Sequence, residues 1–302
     1  LHFMPRHTAL TRRRLLGLAS AGAFAATAGG LTACSKTEGS GDSDPELLAR
    51  IKKRGYAKVA YANEAPYGYK EGDTLKGEAP ALHAEVFKAL GVPELRPVFS
   101  EWDGLIPGLL AGKYDVISAG MAILPERCEK AIFSEPEFIS PTAMMVPAGN
   151  PRKLGDLASA EQAGVTLGVM SGAAEKGYAE GAGIPAARIK TVTKPQDGAD
   201  AVKSGRIDAF VLTGISLRWL ARTNKGLEVT EPFLPVVDGV KQYSPGGAVF
   251  RKGAAPLRDA FNTELQKITS DEERYVALLG AYGFTAAEMP PADLTTEKLC
   301  AA

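Results

Sequence analysis

The chain has 302 residues, and its 35 lysines and arginines are balanced by 35 aspartates and glutamates, so the formal net charge is zero. Hydrophobic residues make up 45% and charged residues 23%, which argues against intrinsic disorder, a collagen-like repeat and a polytopic membrane protein. The lack of a basic excess gives no support to nucleic-acid binding, and the length suits one large domain or two of ordinary size.

Residues 1–33 have the features of an export signal. They contain four arginines and no acidic residue, and three of the arginines lie in the run TRRRLL at 11–16. An uncharged stretch rich in Ala, Gly and Leu follows and ends in LTAC at 31–34. A positive segment, an apolar segment and small residues before a cleavage point are the parts of such a signal. The paired arginines resemble a twin-arginine signal, and LTAC resembles a bacterial lipobox, in which Cys34 is lipidated.

Residues 35–45 (SKTEGSGDSDP) are predicted to form a flexible polar linker after the signal. A membrane-spanning anchor is the alternative interpretation of residues 15–33, but this stretch is mostly Ala and Gly. We therefore expect a protein outside the cytoplasm, held at the outer face of the cytoplasmic membrane by a lipid on Cys34. Removal of the four leader arginines leaves a mature chain that is mildly acidic.

The mature chain retains one histidine, His83, and two further cysteines, Cys128 and Cys300. This set is too small for a Cys/His zinc site of ordinary spacing, so we expect neither a metal nor a cofactor. In an oxidising compartment the two cysteines can form a disulfide, and two buried free thiols are the alternative. His83 lies in an amphipathic pattern with apolar residues at 82, 86 and 90, which predicts a histidine on a helix surface.

Two short motifs that would indicate an enzyme are incomplete. The run GVMSG at 168–172 differs from a GxSxG nucleophile elbow, because Ser171 lies one position too late. The run GLLAGKY at 108–114 lacks both the spacing and the hydroxyl residue of a Walker A loop. The sequence therefore favours a binding protein.

Short β-branched runs alternate with helical patterns along the chain, which is typical of βαβ units and parallel sheets. In the first series the patterns predict strands at 56–61, 94–99 and 114–118, and helices at 80–90 and 104–111. In the second series they predict strands at 165–169, 188–192 and 208–212, and helices at 173–180, 197–204 and 215–222. A strand at 248–250, helices at 257–268 and 272–281, and a Pro-rich surface tail at 285–302 complete the chain.

The two series predict an α/β fold of two lobes connected by extended chain at 143–147. A return near residue 246 makes the first lobe discontinuous. Lobe 1 is therefore predicted to comprise residues 46–146 plus 247–302, and lobe 2 residues 147–246. Since ligands of open α/β sheets bind beyond the carboxyl ends of the strands, the loops after five of these strands are expected to line one cleft.

The loops at these strand ends carry side chains suited to a zwitterion. Arg127 offers a planar pair of donors for a carboxylate, and Glu64 offers the opposite charge. Tyr67 and Trp102 add aromatic faces for a delocalised or quaternary cation. Taken singly, a surface arginine, a core tryptophan and a solvated glutamate are the ordinary alternatives.

A second group of loop residues is expected to favour the same carboxylate. Ser171 and the backbone amides of Gly172 and Ala173 lie where a helix begins, and such amides bind anions. A serine that merely caps the helix is the alternative for Ser171. The predicted ligand-binding set is completed by Gly120, Ala122 and Thr213.

Three motifs resemble those of the family 3 solute-binding proteins of ABC transporters: WDGLIPGLLAGKYD at 102–115, PER at 125–127 with FS at 133–134, and GRIDA at 205–209. The resemblance covers nearly all of the mature chain in order. It implies a two-lobed type II periplasmic-binding-protein fold, which closes on a ligand in the cleft between the lobes and delivers it to membrane permease subunits. It also implies that Arg127 holds the ligand carboxylate and that Trp102 stacks on the ligand.

Within that family the sequence resembles the ectoine- and hydroxyectoine-binding subgroup. Amino-acid-binding members usually have an aspartate where this chain has Thr213. The matching segments are NEAPYGY at 63–69, GEAP at 77–80, LTGIS at 212–216 and PVVDG at 235–239. The resemblance implies a small zwitterionic compatible solute whose cation is held by Glu64. Ala122 is a departure, because the subgroup can carry a third aromatic residue there.

These observations lead to the hypothesis of a monomeric, lipid-anchored binding protein for osmoprotectant uptake, with no enzymatic activity and no nucleic-acid partner. A receptor for a polar or basic amino acid is the alternative within the same class. An extracytoplasmic dehydratase of the same fold is a remote alternative. It would use Glu64 as a general acid or base, although the predicted loops supply no His or Lys beside it.

Overall fold

The computed structural model describes residues 44–237 and 239–301. The predicted export signal at 1–33, the predicted lipidation site Cys34 and the predicted linker up to residue 43 lie outside the described residues. Within the described ranges, no helix combines the length and the apolar character needed to cross a bilayer.

Helices and strands alternate through most of the described chain. Helices α1 to α11 are Leu47–Arg54, Glu78–Ala89, Leu105–Leu110, Pro125–Cys128, Leu157–Gln162, Ala174–Gly181, Pro195–Lys203, Gly214–Ala221, Ala255–Thr269, Glu272–Leu279 and Thr296–Ala301. Strands β1 to β14 are Tyr56–Tyr61, Tyr69–Glu71, Thr74–Lys76, Glu94–Phe99, Val116–Ala122, Ile132–Phe133, Thr142–Pro147, Leu167–Met170, Ile189–Val192, Ala209–Thr213, Leu227–Val229, Val236–Val237, Val240–Lys241 and Gly246–Phe250.

The first five-stranded sheet has the strand order β4-β1-β5-β14-β6. Strand β1 runs parallel to β4 and β5, whereas β14 runs antiparallel to β5 and β6. Helices α1, α2, α9 and α10 share an apolar core with this sheet. In α9 the buried residues are Leu257, Phe261, Leu265 and Ile268, the apolar face predicted from helical spacing.

The second five-stranded sheet has the strand order β11-β7-β10-β8-β9. Strand β8 runs parallel to β9 and β10, and β7 runs antiparallel to β10 and β11. Helices α5 and α6 pack on the sheet through residues such as Leu157 and Tyr178. The protein therefore has two α/β lobes, one built on each sheet.

The chain passes between the sheets at two places, and here the predicted boundaries need correction. The extended segment predicted as a connection at 143–147 is strand β7, which starts at Thr142 and pairs with β10 in the second sheet. The second sheet thus begins before residue 147, the predicted start of lobe 2. A continuous buried apolar run is typical of an interior strand, and a connecting segment would be more polar.

The third strand of the first sheet is also longer than predicted. It was expected to end at residue 118, with Gly120 and Ala122 in the following loop, but β5 continues to Ala122. The extension is stabilised by β14, because Gly246 pairs with Ala122 and Gly247 with Met121. A partner strand more than a hundred residues away in the sequence leaves no local signal for this extension.

The prediction of a surface position for His83 is wrong. Its side chain is fully buried, and His83 Nε2 lies 2.9 Å from Glu137 Oε1. Helix α2 packs against β5 and also against α9 and α10, so it is covered on more than one side. The ring of Phe261, on α9, meets the imidazole edge to face at 5.1 Å between centroids.

The Pro-rich tail ends in α11, which packs on the short helix α4. The Sγ atoms of Cys128 and Cys300 are bonded to each other, with 5.7 Å between the two Cα atoms. Of the two alternatives considered from the sequence, a disulfide or two free thiols, the structure has the disulfide. It joins the end of the chain to the residue that follows Arg127.

Candidate functional site

A cavity of about 30 Å³ is lined by residues of both lobes. Trp102 of the first lobe and Leu212 of the second both line it, and they belong to one apolar cluster that also includes Met121 and Met170. The residues that line the cavity are Glu64, Tyr67, Trp102, Gly120, Ala122, Arg127, Phe138, Ala173, Ala174, Glu175, Leu212, Thr213 and Ser244. All predicted ligand-binding residues except Ser171 and Gly172 are among them.

Arg127 lies in the single turn of α4, which begins with a proline at its first position. The residue is 7% exposed. Its Nη1 donates to the Ala122 carbonyl at 2.8 Å, and its Nη2 donates to the Gly172 carbonyl of the other lobe at 2.9 Å. Burial lowers the pKa of Arg127, and the nearby Glu175 carboxylate acts in the opposite direction. Since a guanidinium has five N–H donors, donors remain for a ligand carboxylate.

Glu64 follows β1 and is 3% exposed. Its Oε1 accepts a hydrogen bond of 2.9 Å from the Ser216 hydroxyl, which belongs to α8 in the second lobe. Burial raises the pKa of Glu64 to about 8 and the nearby Glu175 adds to this, while Ser216 and Arg127 oppose it. The carboxyl group is thus held at the boundary between the lobes by a single side-chain hydrogen bond.

Glu175 is a second buried acid in the cavity, and the sequence analysis missed it. It lies in the first turn of α6 and is 4% exposed. Burial raises the pKa of Glu175 to about 7, while its own backbone N–H and Arg127 oppose the rise. The sequence analysis considered only the residues that directly follow each predicted strand, and here it ended at Ala173. The first turn of the following helix can also face the cavity, so including that turn would have found Glu175.

The two predicted aromatic residues differ in what they offer. Trp102 is 8% exposed, and its Nε1 donates to the Gly172 carbonyl at 3.3 Å. The ring of Tyr67 packs on Phe138 at 4.9 Å between centroids, and Gly120 touches the same ring. These neighbours cover the Tyr67 ring, and its buried hydroxyl has no hydrogen-bond partner among the described residues.

Gly120 shows why this wall of the cavity requires a glycine. Its φ is +64°, and a Cβ placed on it would lie 2.3 Å from Cδ1 of Tyr67. A side chain there would meet both an unfavourable backbone conformation and the ring. Gly120 therefore allows the close approach of Tyr67 to β5.

The predicted carboxylate site at the start of α6 is not formed as expected. The Ser171 hydroxyl lies 3.5 Å from Asp103 Oδ2, and the Ala173 amide donates to the Met170 carbonyl at 3.2 Å. Gly172, at φ +73°, presents its carbonyl oxygen to Arg127 and Trp102. The loop therefore contributes an acceptor that links the lobes, and Ser171 and Gly172 do not line the cavity.

Two further lining residues come from the segments that connect the sheets. Phe138 precedes β7, and Ser244 precedes β14. The Ser244 hydroxyl lies 3.2 Å from the hydroxyl of Tyr178, on α6. The sequence analysis considered residues that directly follow predicted strands and not the segments that connect the sheets, so it had no signal for these two residues. Across the described residues, the cavity included, no group of three or more His, Cys, Asp or Glu residues is arranged to hold a metal.

Residues 57–280 match the family of bacterial extracellular solute-binding proteins, family 3. The probable amino-acid ABC transporter periplasmic-binding protein y4tE of Sinorhizobium fredii is 37% identical over 260 residues, which are 84% of this chain and 85% of that protein.

Two solved structures add a comparison of the fold. The crystal structure of EhuB in complex with hydroxyectoine has a TM-score of 0.76 and 35% identity, and the match covers 86% of this chain and 99% of EhuB. An ancestral arginine-binding protein bound to arginine has a TM-score of 0.65 and 26% identity, with 76% of this chain and 98% of that chain covered. The resemblance noted from the motifs and the two-lobed fold are confirmed: this chain belongs to the bacterial extracellular solute-binding proteins, family 3.

Proposed function

We propose that the protein captures a small zwitterionic compatible solute of the ectoine type between its lobes and delivers it to the permease subunits of an ABC importer. The observation that carries the proposal is a buried base and a buried acid in one cavity, Arg127 and Glu64, which carry opposite charges when both are ionised. Among the described residues they form no ion pair with each other, and each is hydrogen-bonded to uncharged groups.

Buried charges of this kind favour a ligand that carries both complementary charges. A charge taken out of water costs free energy unless it is paired or hydrogen-bonded. Arg127 keeps free N–H donors for a carboxylate, and Glu64 keeps an oxygen for a cation. A zwitterion satisfies both without changing the net charge of the cavity.

The remaining walls favour a delocalised cation over a compact ammonium. Trp102 lines the cavity and offers a large aromatic surface, which is worth about 0.5–2 kcal/mol to a cation. Thr213, in place of a carboxylate, supplies only a hydroxyl, and its Oγ1 is buried without a partner within the described chain. The similarity to EhuB, solved with hydroxyectoine, supports the same class of solute.

Binding requires the cavity to open. Its volume of about 30 Å³ has room for one or two water molecules, so a solute enters only when the lobes separate. Two hydrogen bonds that cross between the lobes are those of Arg127 to Gly172 and of Ser216 to Glu64. Since each is worth about 1–3 kcal/mol, contacts with a solute are able to replace them.

Isothermal titration calorimetry of the mature chain tests the proposal with ectoine, hydroxyectoine, glycine betaine, proline and arginine. We expect ectoine or hydroxyectoine to bind at least tenfold more tightly than the other solutes. Arg127→Ala should abolish binding, whereas Arg206→Ala, an exposed arginine of the second lobe, should leave it unchanged. If ectoine does not bind at millimolar concentration, the proposed ligand is wrong. If the Arg127 variant binds as tightly as the unmodified protein, the solute binds at another site.

A receptor for a basic amino acid is the second candidate, and Glu175 is the observation that favours it. With Glu64 and Glu175 both ionised, the two acids outnumber Arg127, and a solute of net charge +1 balances them. The likeness to an ancestral arginine-binding protein points in the same direction. In the same titration, arginine binding more tightly than ectoine would select this candidate.

We infer that the protein has no enzymatic activity. Its relatives named above are solute-binding proteins, and no Lys or His side chain lines the cavity in the described part of the chain to assist Glu64. Product formed from prephenate-like acids by the mature protein would revive the dehydratase alternative.

We also propose that the protein is a monomer and that a lipid on Cys34 anchors it to the membrane. Mass spectrometry of the membrane-extracted protein tests the lipid on Cys34 directly.

A further inference from the structure

Glu175 and Glu64 approach the solute cavity from opposite lobes. Glu175 begins α6 in the second lobe, and Glu64 follows β1 in the first. Both side chains are more than nine-tenths buried and line the same cavity, yet neither forms an ion pair with Arg127 within the described residues. Tyr67, which is 1% exposed, lines the same cavity, and its buried hydroxyl has no hydrogen-bond partner in the described chain.

The position of Glu175 in a helix does not by itself explain its burial. An acidic residue in the first turn is favoured by the helix dipole, and Glu175 also interacts with its own backbone N–H. Both effects also stabilise a carboxylate that faces water, so neither requires burial. A helix-stabilising role therefore leaves unexplained why this carboxylate lies in a cavity with Glu64 and Arg127.

We propose that Glu175 binds the cationic end of the solute from the second lobe, opposite Glu64, and that a solute without net charge is bound with one proton held between these two carboxyl groups. This inference rests on the proposed function, since it assumes that the solute occupies this cavity. It extends that function by making binding of a zwitterion depend on proton uptake.

The charges of the groups around the cavity explain why one proton is bound together with a neutral zwitterion. Besides the two acids and Arg127, the titratable groups that act on the site are Tyr67, Tyr178 and Glu126. Burial raises the pKa of both tyrosines, so they remain neutral at pH 7. With both acids ionised, a neutral zwitterion leaves one buried negative charge uncompensated, and a single proton removes it.

The expected pH dependence follows from the shift in pKa on closure. In an open cleft the two carboxyl groups are solvated and ionised at pH 7. Burial raises the pKa of Glu64 to about 8 and that of Glu175 to about 7. The cationic end of the solute keeps one of the two carboxyl groups ionised, so one proton is taken up as the lobes close on the solute. Affinity for a neutral zwitterion therefore falls as pH rises through neutrality, and it becomes constant above the pKa of the buried pair.

Titration of ectoine at pH 6 to 9, in buffers of different ionisation enthalpy, measures both the slope and the number of protons. For the unmodified protein we expect affinity to fall up to tenfold per pH unit between pH 6 and 7.5, with uptake of nearly one proton. Glu175→Gln should bind ectoine with nearly zero slope and no proton uptake. Glu180→Gln, an exposed acid on the same helix, is the matched control and should behave as the unmodified protein.

The possible failures are distinguishable. If ectoine binds without any pH dependence, or if Glu175→Gln keeps the unmodified slope, the proposed role of Glu175 is wrong while the proposed function stands. A purely helix-stabilising role would lower the melting temperature of Glu175→Gln and leave its slope unchanged, which also overturns the inference. If ectoine does not bind at any pH, the proposed function itself fails.

Discussion

Replacement of Gly120 by alanine tests the close packing of Tyr67 against β5. Gly120 has a φ of +64°, and a residue with a Cβ pays about 1–2 kcal/mol to adopt this left-handed backbone conformation. The added methyl would also lie 2.3 Å from Cδ1 and 2.5 Å from Cγ of Tyr67, and overpacking of this kind costs about 1–3 kcal/mol. We therefore expect Gly120→Ala to lower the free energy of unfolding by about 2–5 kcal/mol.

Gly112→Ala separates these two contributions. Gly112 also has a positive φ, +70°, but nothing lies within 4 Å of a Cβ built there. This variant should therefore lose only the backbone part, about 1–2 kcal/mol. The double variant Gly120→Ala with Tyr67→Ala removes the ring, and the cost of the alanine should then approach that of Gly112→Ala.

Urea denaturation followed by circular dichroism measures the free energies, and calorimetry with ectoine measures the effect on the site. Because Tyr67 and Gly120 both line the cavity, Gly120→Ala should also weaken solute binding, whereas Gly112→Ala should not. Equal destabilisation by the two alanine variants would show that the ring does not restrict this position. The packing argument for Gly120 would then be refuted.

Three further outcomes follow from the structure. Trp102→Ala should weaken ectoine binding by about 1–3 kcal/mol in calorimetry, whereas Trp219→Ala, outside the 30 Å³ cavity, should leave it unchanged. Cys300→Ser removes the disulfide to Cys128 and should lower the free energy of unfolding by about 2–5 kcal/mol in urea, with a similar loss for the unmodified protein under reductant. Burial raises the pKa of Glu78 well above its usual value, so the unmodified protein should lose stability as pH rises above about 4.5, and Glu78→Gln should lose less by thermal denaturation between pH 5 and 8.

Much of the fold followed from local patterns. The alternation of β-branched runs with helical patterns predicted strands close to β1, β4, β8, β9 and β10, because this alternation is a short-range property of the sequence. Helix α9 was predicted from four apolar residues on one face. The extension of β5 to Ala122 was missed, since it depends on pairing with β14.

Much of the candidate site also followed from strand ends. Arg127, Glu64 and Trp102 were predicted from their positions beyond strands, and the structure brings all three to one cavity. The surface position predicted for His83 was wrong, because an amphipathic pattern reveals one apolar face and cannot reveal that α9 and α10 cover another. Phe138, from a segment between the sheets, gave no pattern at all.

The sequence by itself determined the α/β class, the two lobes and the chemistry available to the site, because these depend on short-range periodicity and on residue type. Only the tertiary structure decided which groups meet. Glu64 and its partner Ser216 are 152 residues apart, and their hydrogen bond forms across the two lobes. The Gly172 carbonyl, and not its amide, faces Arg127 because the loop is oriented by contacts with the opposite lobe. Glu175 became a buried acid of the cavity for the same reason: burial is a property of the packed lobes, whereas its helical position is a property of the local sequence.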